Sequence, residues 1–283
     1  MVISCQLSVR RLPNEASTFW KITCPLAQFI DNEPLRTASL PATENRQLAT
    51  DNFPLMVSAI IVAAGSSQRM GFDKLLSLIG DRPVVAHSID RFEQCENIDE
   101  VILVVRAERR VEFQQIVDAC GFTKVNHLVD GGSERHLSVW NGISHLSEAC
   151  EIVAVHDAAR PLVSSDLISR SVTLARGCGA VSLAAPIVET IKRADLEQNV
   201  TEGLDRSGLW AMQTPQVFRF DWLLDAYKRI VDSSRSVTDE VSALQEAGYP
   251  VRLLQNTDWN IKITFPRDLD LAKKMMSLRE VKF

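Results

Sequence analysis

From Val57 onward the chain alternates short apolar runs with stretches of helical spacing, and this rhythm restricts it to an α/β sheet. Residues 57–62 read as a buried strand running into a loop of small residues at 63–71. Residues 84–92 have helical spacing, 101–105 form a second strand, and 108–119 a helix stopped by Gly121. A third strand at 126–129 leads through Gly131 and Gly132 into a helix from about 134 to 146, and a fourth at 152–155 runs into His156 and Asp157. Strands joined by helices of this length pair in parallel through right-handed crossovers. The rhythm changes after Ala180. Residues 181–184 and 188–193 are short strand candidates, and the polar, turn-rich stretch 192–208 reads equally as a projecting hairpin or a solvated loop. Helices at 221–231 and 239–247, strands at 251–254 and 261–264, and a helix from Pro266 complete the pattern, with no internal repeat.

Composition excludes several classes. The chain has 283 residues, 46% hydrophobic and 24% charged, too apolar for a disordered protein. No apolar run approaches the roughly 20 residues of a membrane-spanning helix, so no membrane association is expected. A formal charge of −5 argues against nucleic acid as a partner, so any anionic substrate must be met by cations local to a site. None of the six cysteines stands in a CxxC pair, which reads as reduced thiols in a cytoplasmic protein. The histidines show no HExxH spacing, so a protein metal cage is not expected. A magnesium ion arriving with substrate phosphates needs only one or two carboxylates. Residues 1–55 carry five prolines and balanced charge without sustained period, and fit neither a secretory signal nor a transit peptide. They read as a disordered extension, or as sequence upstream of a true start at Met56.

Ligands of open α/β sheets bind beyond the carboxyl ends of the strands, where four segments carry suitable residues. The first combines Ala63, Ala64, Gly65 and Gly71 with Arg69 and Lys74, so that backbone N–H groups and two cations are available to phosphate oxygens. It matches neither GxGxxG nor the P-loop pattern. The second, Asp130-Gly131-Gly132-Ser133, permits close approach of a base or ribose, or is simply a tight turn with Ser133 as N-cap. The third, His156-Asp157-Ala158-Ala159-Arg160-Pro161, places a carboxylate at a strand end as a magnesium ligand, or as one half of an Asp–Arg pair locking the turn. The fourth, Asn260-Ile261-Lys262-Ile263-Thr264, sets a lysine among apolar residues, an arrangement that alone describes a snorkelling surface side chain.

Taken in order with Arg135, Ser138-Val139, Thr214-Pro215-Gln216 and Thr238-Asp239-Glu240, these segments resemble the 2-C-methyl-D-erythritol 4-phosphate cytidylyltransferases of isoprenoid precursor synthesis, over residues 57–279. The resemblance implies a Rossmann-like, doubly wound, mostly parallel sheet of the nucleotide-diphospho-sugar transferase type, with a β-arm at about 188–210. It implies CMP transfer from CTP to the sugar phosphate with release of pyrophosphate. Arg69 and Lys74 would stabilise the transition state at the α-phosphate, and cytidine would lie between Ala63-Ala64-Gly65 and Gly131/Gly132 with Ser138 nearby. Asp157 matches the magnesium-binding aspartate. Thr190, Arg206, Thr214 and Lys262 match residues holding the sugar phosphate, with Arg206 and Lys262 also contributing charge to catalysis. In the family the arm crosses to a partner subunit, which implies a homodimer. The chain departs from the pattern at Asp73, where many members have proline, at Leu75-Leu76, and at Trp259, where an acidic residue is frequent. The nearest rival reading is the same chemistry on ribitol 5-phosphate or another polyol phosphate; a further one is a non-catalytic nucleotide-binding protein.

Overall fold

On each central strand, burial has a period of two with both faces dry. Val57, Ala59 and Ile61 enter one apolar layer and Ile60 the other; Val101, Leu103 and Val105 oppose Ile102 and Val104 in the same way. A strand covered on both faces needs helices above and below it. The computed structural model describes residues 56–65, 70–233 and 235–280. The readings made for residues 1–55 and for Arg69 lie outside the described residues.

In chain order, β1 (Met56–Val62) precedes a small hairpin of β2 (Leu78–Ile79) and β3 (Arg82–Pro83), then α1 (Val84–Glu93). There follow β4 (Glu100–Val105), α2 (Arg110–Cys120), β5 (Val125–Asp130), α3 (Arg135–Ile143), β6 (Cys150–Asp157), α4 (Ser165–Cys178) and β7 (Ala180–Pro186). The remainder comprises β8 (Ile191–Ala194), β9 (Val200–Leu204), β10 (Trp210–Arg219), α5 (Phe220–Asp232), α6 (Glu240–Glu246), β11 (Arg252–Gln255) and α7 (Pro266–Glu280). Seven strands form the sheet in the order β11-β7-β10-β6-β1-β4-β5. Parallel pairing links β6, β1, β4 and β5, and separately β7 with β11, while β10 runs antiparallel between β6 and β7. One layer of helices packs through Ile89, Phe113, Val172 and Ala272, the other through Val139, Tyr227 and Leu244. The doubly wound, mostly parallel sheet expected from the sequence is therefore the observed architecture.

Two details differ from the sequence reading, and a third settles an open alternative. The long strand β10 and helix α4 do not stand out in the hydrophobic pattern. Pro215 interrupts β10, and the ladder to β7 shifts register between Met212 and Gln216, so the strand reads as two fragments. Residues 261–264 are not a strand of the sheet. The Ile263 N–H donates to the Ala159 carbonyl, and the Ile263 carbonyl accepts from Lys74 Nζ, so this segment is held by loops rather than by a ladder. The stretch after residue 188 is a hairpin: β8 and β9 pair antiparallel in their own two-stranded sheet, with Lys192 opposite Gly203.

Candidate active site

The chain runs from β1 toward β4 on one side and reaches β6 on the other, so the connections leaving β1 and β6 diverge. That divergence opens a crevice at the carboxyl ends of the two strands, where Val62 and Asp157 are register partners. A cleft of about 410 Å³ occupies the spot, lined by Ala64, Gly65, Lys74, Gly132, Glu134, Arg135, Ser138, Asp157 and Lys262 among others. Three of the four segments singled out by sequence meet there by loop geometry, and Lys262 joins them from the fourth.

The two small-residue loops touch each other. A Cβ on Gly131 would lie 2.3 Å from the Ala64 Cβ, and one on Gly132 would lie 2.4 Å from the Leu137 Cβ. Glycine is needed here for close approach rather than for an unusual backbone angle. Ser138 ties the turn together, accepting from the Gly132 N–H at 3.1 Å and donating to the Glu134 carbonyl at 3.0 Å. The N-cap of α3 is Glu134, without a side-chain cap bond, so Ser133 does not serve as the cap. Ala63 is buried beneath the cleft, its N–H bound to the Val104 carbonyl.

Asp157 is the electrostatic centre. Lys262 Nζ lies 2.7 Å from its Oδ2, Arg135 Nη2 lies 3.2 Å from its Oδ1, and Arg160 Nε stands 3.8 Å away. Burial alone would raise the pKa of this carboxyl. The charges of Arg135, Lys262 and Arg160, with the Lys262 hydrogen bond, outweigh burial and hold it well below the usual carboxylate range. Arg135 is itself gripped from behind by Glu240, which is fully buried, through contacts of 2.6 and 3.1 Å. Tyr227 donates to Glu240 at 2.9 Å. A fork of this kind fixes the guanidinium plane.

A second set of contacts supports Asp157 from below. The Asp157 N–H donates to Thr214 Oγ1 at 3.1 Å, and Thr214 Oγ1 lies 3.0 Å from His156 Nδ1. Burial pushes the His156 pKa down to about 3, so the ring is neutral. The Thr214 hydroxyl then donates to Nδ1, and Nε2–H donates to the Arg160 carbonyl at 3.2 Å. Arg160 in turn donates to the Asn260 carbonyl at 2.8 Å, locking the segment that carries Lys262. Thr214 thus lies under the cleft rather than in its wall.

Thr190 and Arg206 are exposed on or beside the hairpin and do not line this cleft; Arg206 donates to the Val188 carbonyl. Arg135 and Glu240 stand in the sequence motifs without a role of their own, and Tyr227 lies outside them. Arg135 and Glu240 are separated by 105 positions, so no spacing rule reveals the pair. The one local signal is a carboxylate following the N-cap Asp239 at the start of α6.

Fold and cleft together define a Rossmann-like α/β protein with a cation-rich cleft at its switch point. Residues 57–278 match the family model of 2-C-methyl-D-erythritol 4-phosphate cytidylyltransferase. The chain is 41% identical over 227 residues to the protein of that name from Alkaliphilus metalliredigens, covering 79% of this chain and 94% of the relative. The relative from Alkaliphilus oremlandii is 40% identical over 226 residues, covering 78% and 95%. Among solved structures, 4-diphosphocytidyl-2C-methyl-D-erythritol synthase from Anaerococcus prevotii superposes with a TM-score of 0.69 at 29% identity, over 78% of this chain and 96% of that one. The chain belongs to the 2-C-methyl-D-erythritol 4-phosphate cytidylyltransferase family.

The buried network sets three expected outcomes. Histidine in the unfolded chain takes up a proton below about pH 6.5, whereas His156 stays neutral down to about 3. The unfolded state therefore binds the extra proton, and stability falls as pH drops through that window, by on the order of 3 kcal/mol between pH 7 and 4. The lowered Asp157 pKa adds a loss only as pH falls below the unfolded carboxylate range, about 4. Thermal melts from pH 7 to 4 should show the decline, and His156→Gln should flatten it; an equally steep decline in the variant would contradict the assignment. Glu240→Gln removes the buried charge behind Arg135, which keeps Asp157 as a partner, and should cost about 1.5–3 kcal/mol in denaturant unfolding. Tyr227→Phe, which removes one hydrogen bond, should cost about 1 kcal/mol.

Proposed function

We propose that this protein transfers a cytidylyl group from CTP to 2-C-methyl-D-erythritol 4-phosphate, releasing pyrophosphate and forming 4-diphosphocytidyl-2-C-methyl-D-erythritol. The observation that carries the reading is the convergence of Lys74, Lys262 and Arg135 on the cleft around Asp157, in a chain of this family. The reaction brings two anions together and develops charge at the α-phosphate, so fixed positive charge and positioning are the main contributions open to the protein. The acceptor phosphate is already ionised at neutral pH, and its attack needs no general base. His156 fits this picture, since its neutral ring is committed to structural contacts.

In this reading cytidine lies between Ala63-Ala64-Gly65 and Gly131/Gly132, with Ser138 fixing the turn it faces. Arg69, Lys74 and Lys262 meet the phosphates. Among the described residues no group of three or more His, Cys, Asp or Glu side chains could hold a metal alone. The donor set instead suits magnesium brought by a triphosphate: Asp157 is ionised and lines the cleft with its oxygens toward cations. Bound there, the ion would neutralise triphosphate charge.

The reading extends to assembly and location. Val188, Leu196 and Val200 are apolar and exposed on the arm or at its base, at 68, 103 and 67%. A symmetric partner that covers them would exchange arms reciprocally. Thr190 and Arg206 would then meet the acceptor phosphate in the partner's cleft, with Thr214 beneath each cleft supporting Asp157. Free thiols at Cys95, Cys120, Cys150 and Cys178 accord with a reducing cytoplasm. Among the described residues no helix is long and apolar enough to cross a membrane.

Pyrophosphate release from CTP with Mg²⁺ should be strong with methylerythritol phosphate and weak with ribitol 5-phosphate or no acceptor; the reverse preference would overturn the acceptor assignment. Lys74→Ala should lower kcat by about 10²–10³ while changing CTP binding far less. Mixing Arg206→Ala with Lys74→Ala under verified subunit exchange should restore part of the activity, because one site of each mixed pair carries neither defect. Activity staying at the level of the separate variants would place Arg206 in its own subunit's site.

A further inference from the structure

We propose that Asp73 and Arg106 are positioning residues for Lys74, an ion-paired latch that holds the lysine-bearing turn against the end of β4. The proposal rests on the reading of Lys74 as a catalytic residue. Lys74 sits in the turn between the first loop and β2, and its amine reaches across the cleft to the Ile263 carbonyl at 2.7 Å. A flexible side chain making that reach is only as well aimed as the backbone beneath it.

That backbone is fixed on both sides. On the far side Leu75 is buried, and its carbonyl accepts from the Val85 N–H at 3.0 Å. On the near side everything depends on Asp73. Its Oδ1 accepts from the Leu75 N–H at 3.1 Å, spanning Lys74 in an Asx-type turn. Its carbonyl accepts from Ser77 Oγ at 3.1 Å. Its Oδ2 pairs with the guanidinium of Arg106, the residue directly after β4. The Asp73 side chain is 10% exposed and that of Arg106 23%, so this pair is sheltered in a way that ordinary surface pairs are not.

One carboxylate therefore organises the turn locally and ties it to the central sheet. The guanidinium it meets stands at the end of β4, the strand that flanks β1 on the side away from Asp157. Lys74 and Asp157 are thus referenced to the same rigid sheet from opposite sides. Neither Asp73 nor Arg106 lines the cleft, so their influence on the reaction passes through the lysine. A misplacement of about 1 Å at a reacting group costs on the order of 10²-fold in rate, and release of a latch beside a residue still anchored by Leu75 should cost less.

A double-mutant cycle on kcat separates positioning from general structural support. Asp73→Asn keeps the turn acceptor but removes the charge, and Arg106→Gln removes the other half. Each should lower kcat about tenfold with KM for CTP changed less than about threefold. Arg106→Lys, which keeps the charge, should retain most of the rate. In a Lys74→Ala background, followed in single turnovers at high enzyme concentration, Asp73→Asn and Arg106→Gln should have no further effect. A loss of the same size in that background, or full activity of Asp73→Asn beside an impaired Lys74→Ala, overturns the latch alone. Normal kcat in Lys74→Ala overturns the catalytic reading of the lysine, and the latch with it. Thermal melts on every variant identify any that fails to fold; the cycle then runs on Arg106→Gln and Arg106→Lys, whose positions lie outside the turn.

Discussion

A single carboxylate facing more than one cation sets the terms for the rest of this protein. Left to itself, a buried Asp157 would stay protonated or unfold its surroundings. Arg135, Lys262 and Arg160 keep it ionised, and each of them needs its own support at the end of a different element. Arg135 is carried by α3 and braced by Glu240 from α6, while Arg160 reaches the Asn260 carbonyl within Lys262's own segment. The charges are in surplus on the positive side, which is the condition a site for two polyanions must meet. In water such an arrangement would be screened to little; in a partly closed cleft it persists.

The support extends outward in shells of decreasing charge. Behind Arg135 stands a fully buried Glu240 and then a neutral Tyr227. Behind Asp157 stand the Thr214 hydroxyl and a neutral imidazole that packs at a 53° tilt against Phe92, ring centroids 5.0 Å apart. Gln216 bridges the two sets, donating to Asp239 and accepting from the Val241 N–H. The Thr214-Pro215-Gln216 and Thr238-Asp239-Glu240 segments are therefore scaffold for the carboxylate, placed by β10 and α6. Around Asp157 the buried Arg160 Nε and Asn260 Oδ1 lack a hydrogen-bond partner, while the other contacts named here bind each polar group to a neighbour and hold the scaffold rigid.

The sheet was legible because its strands are buried on both faces and punctuated by glycine at helix ends, as at Gly121, which caps α2 at φ 66°. Positions 63–65, 74, 131–132 and 157 were legible in or beside loops at strand ends, since topology alone brings such loops together. What stayed hidden depends on partners far apart in sequence. Lys262 has the pattern of a surface lysine, and only its approach to Asp157 distinguishes it. Glu240 looks like any acid in a first helical turn, although it is fully buried against an arginine from another helix. β10 was hidden because Pro215 breaks its pattern and its antiparallel sense answers to no helical crossover.

The antiparallel strand has an evolutionary corollary. Because β10 returns directly beside β7, the excursion between them is the tip of one long hairpin, closed at its base by the Ile187 N–H to the Leu209 carbonyl and by Trp210 opposite Pro186. Residues beyond that closure can be lengthened, shortened or exchanged while the ladder below keeps its register, since loop-closure entropy grows only logarithmically with length. Changes of length or sequence there leave the sheet below undisturbed. The hairpin can change in this way while the cleft loops on the parallel strands stay under the tight geometric constraints of Gly131 and Gly132.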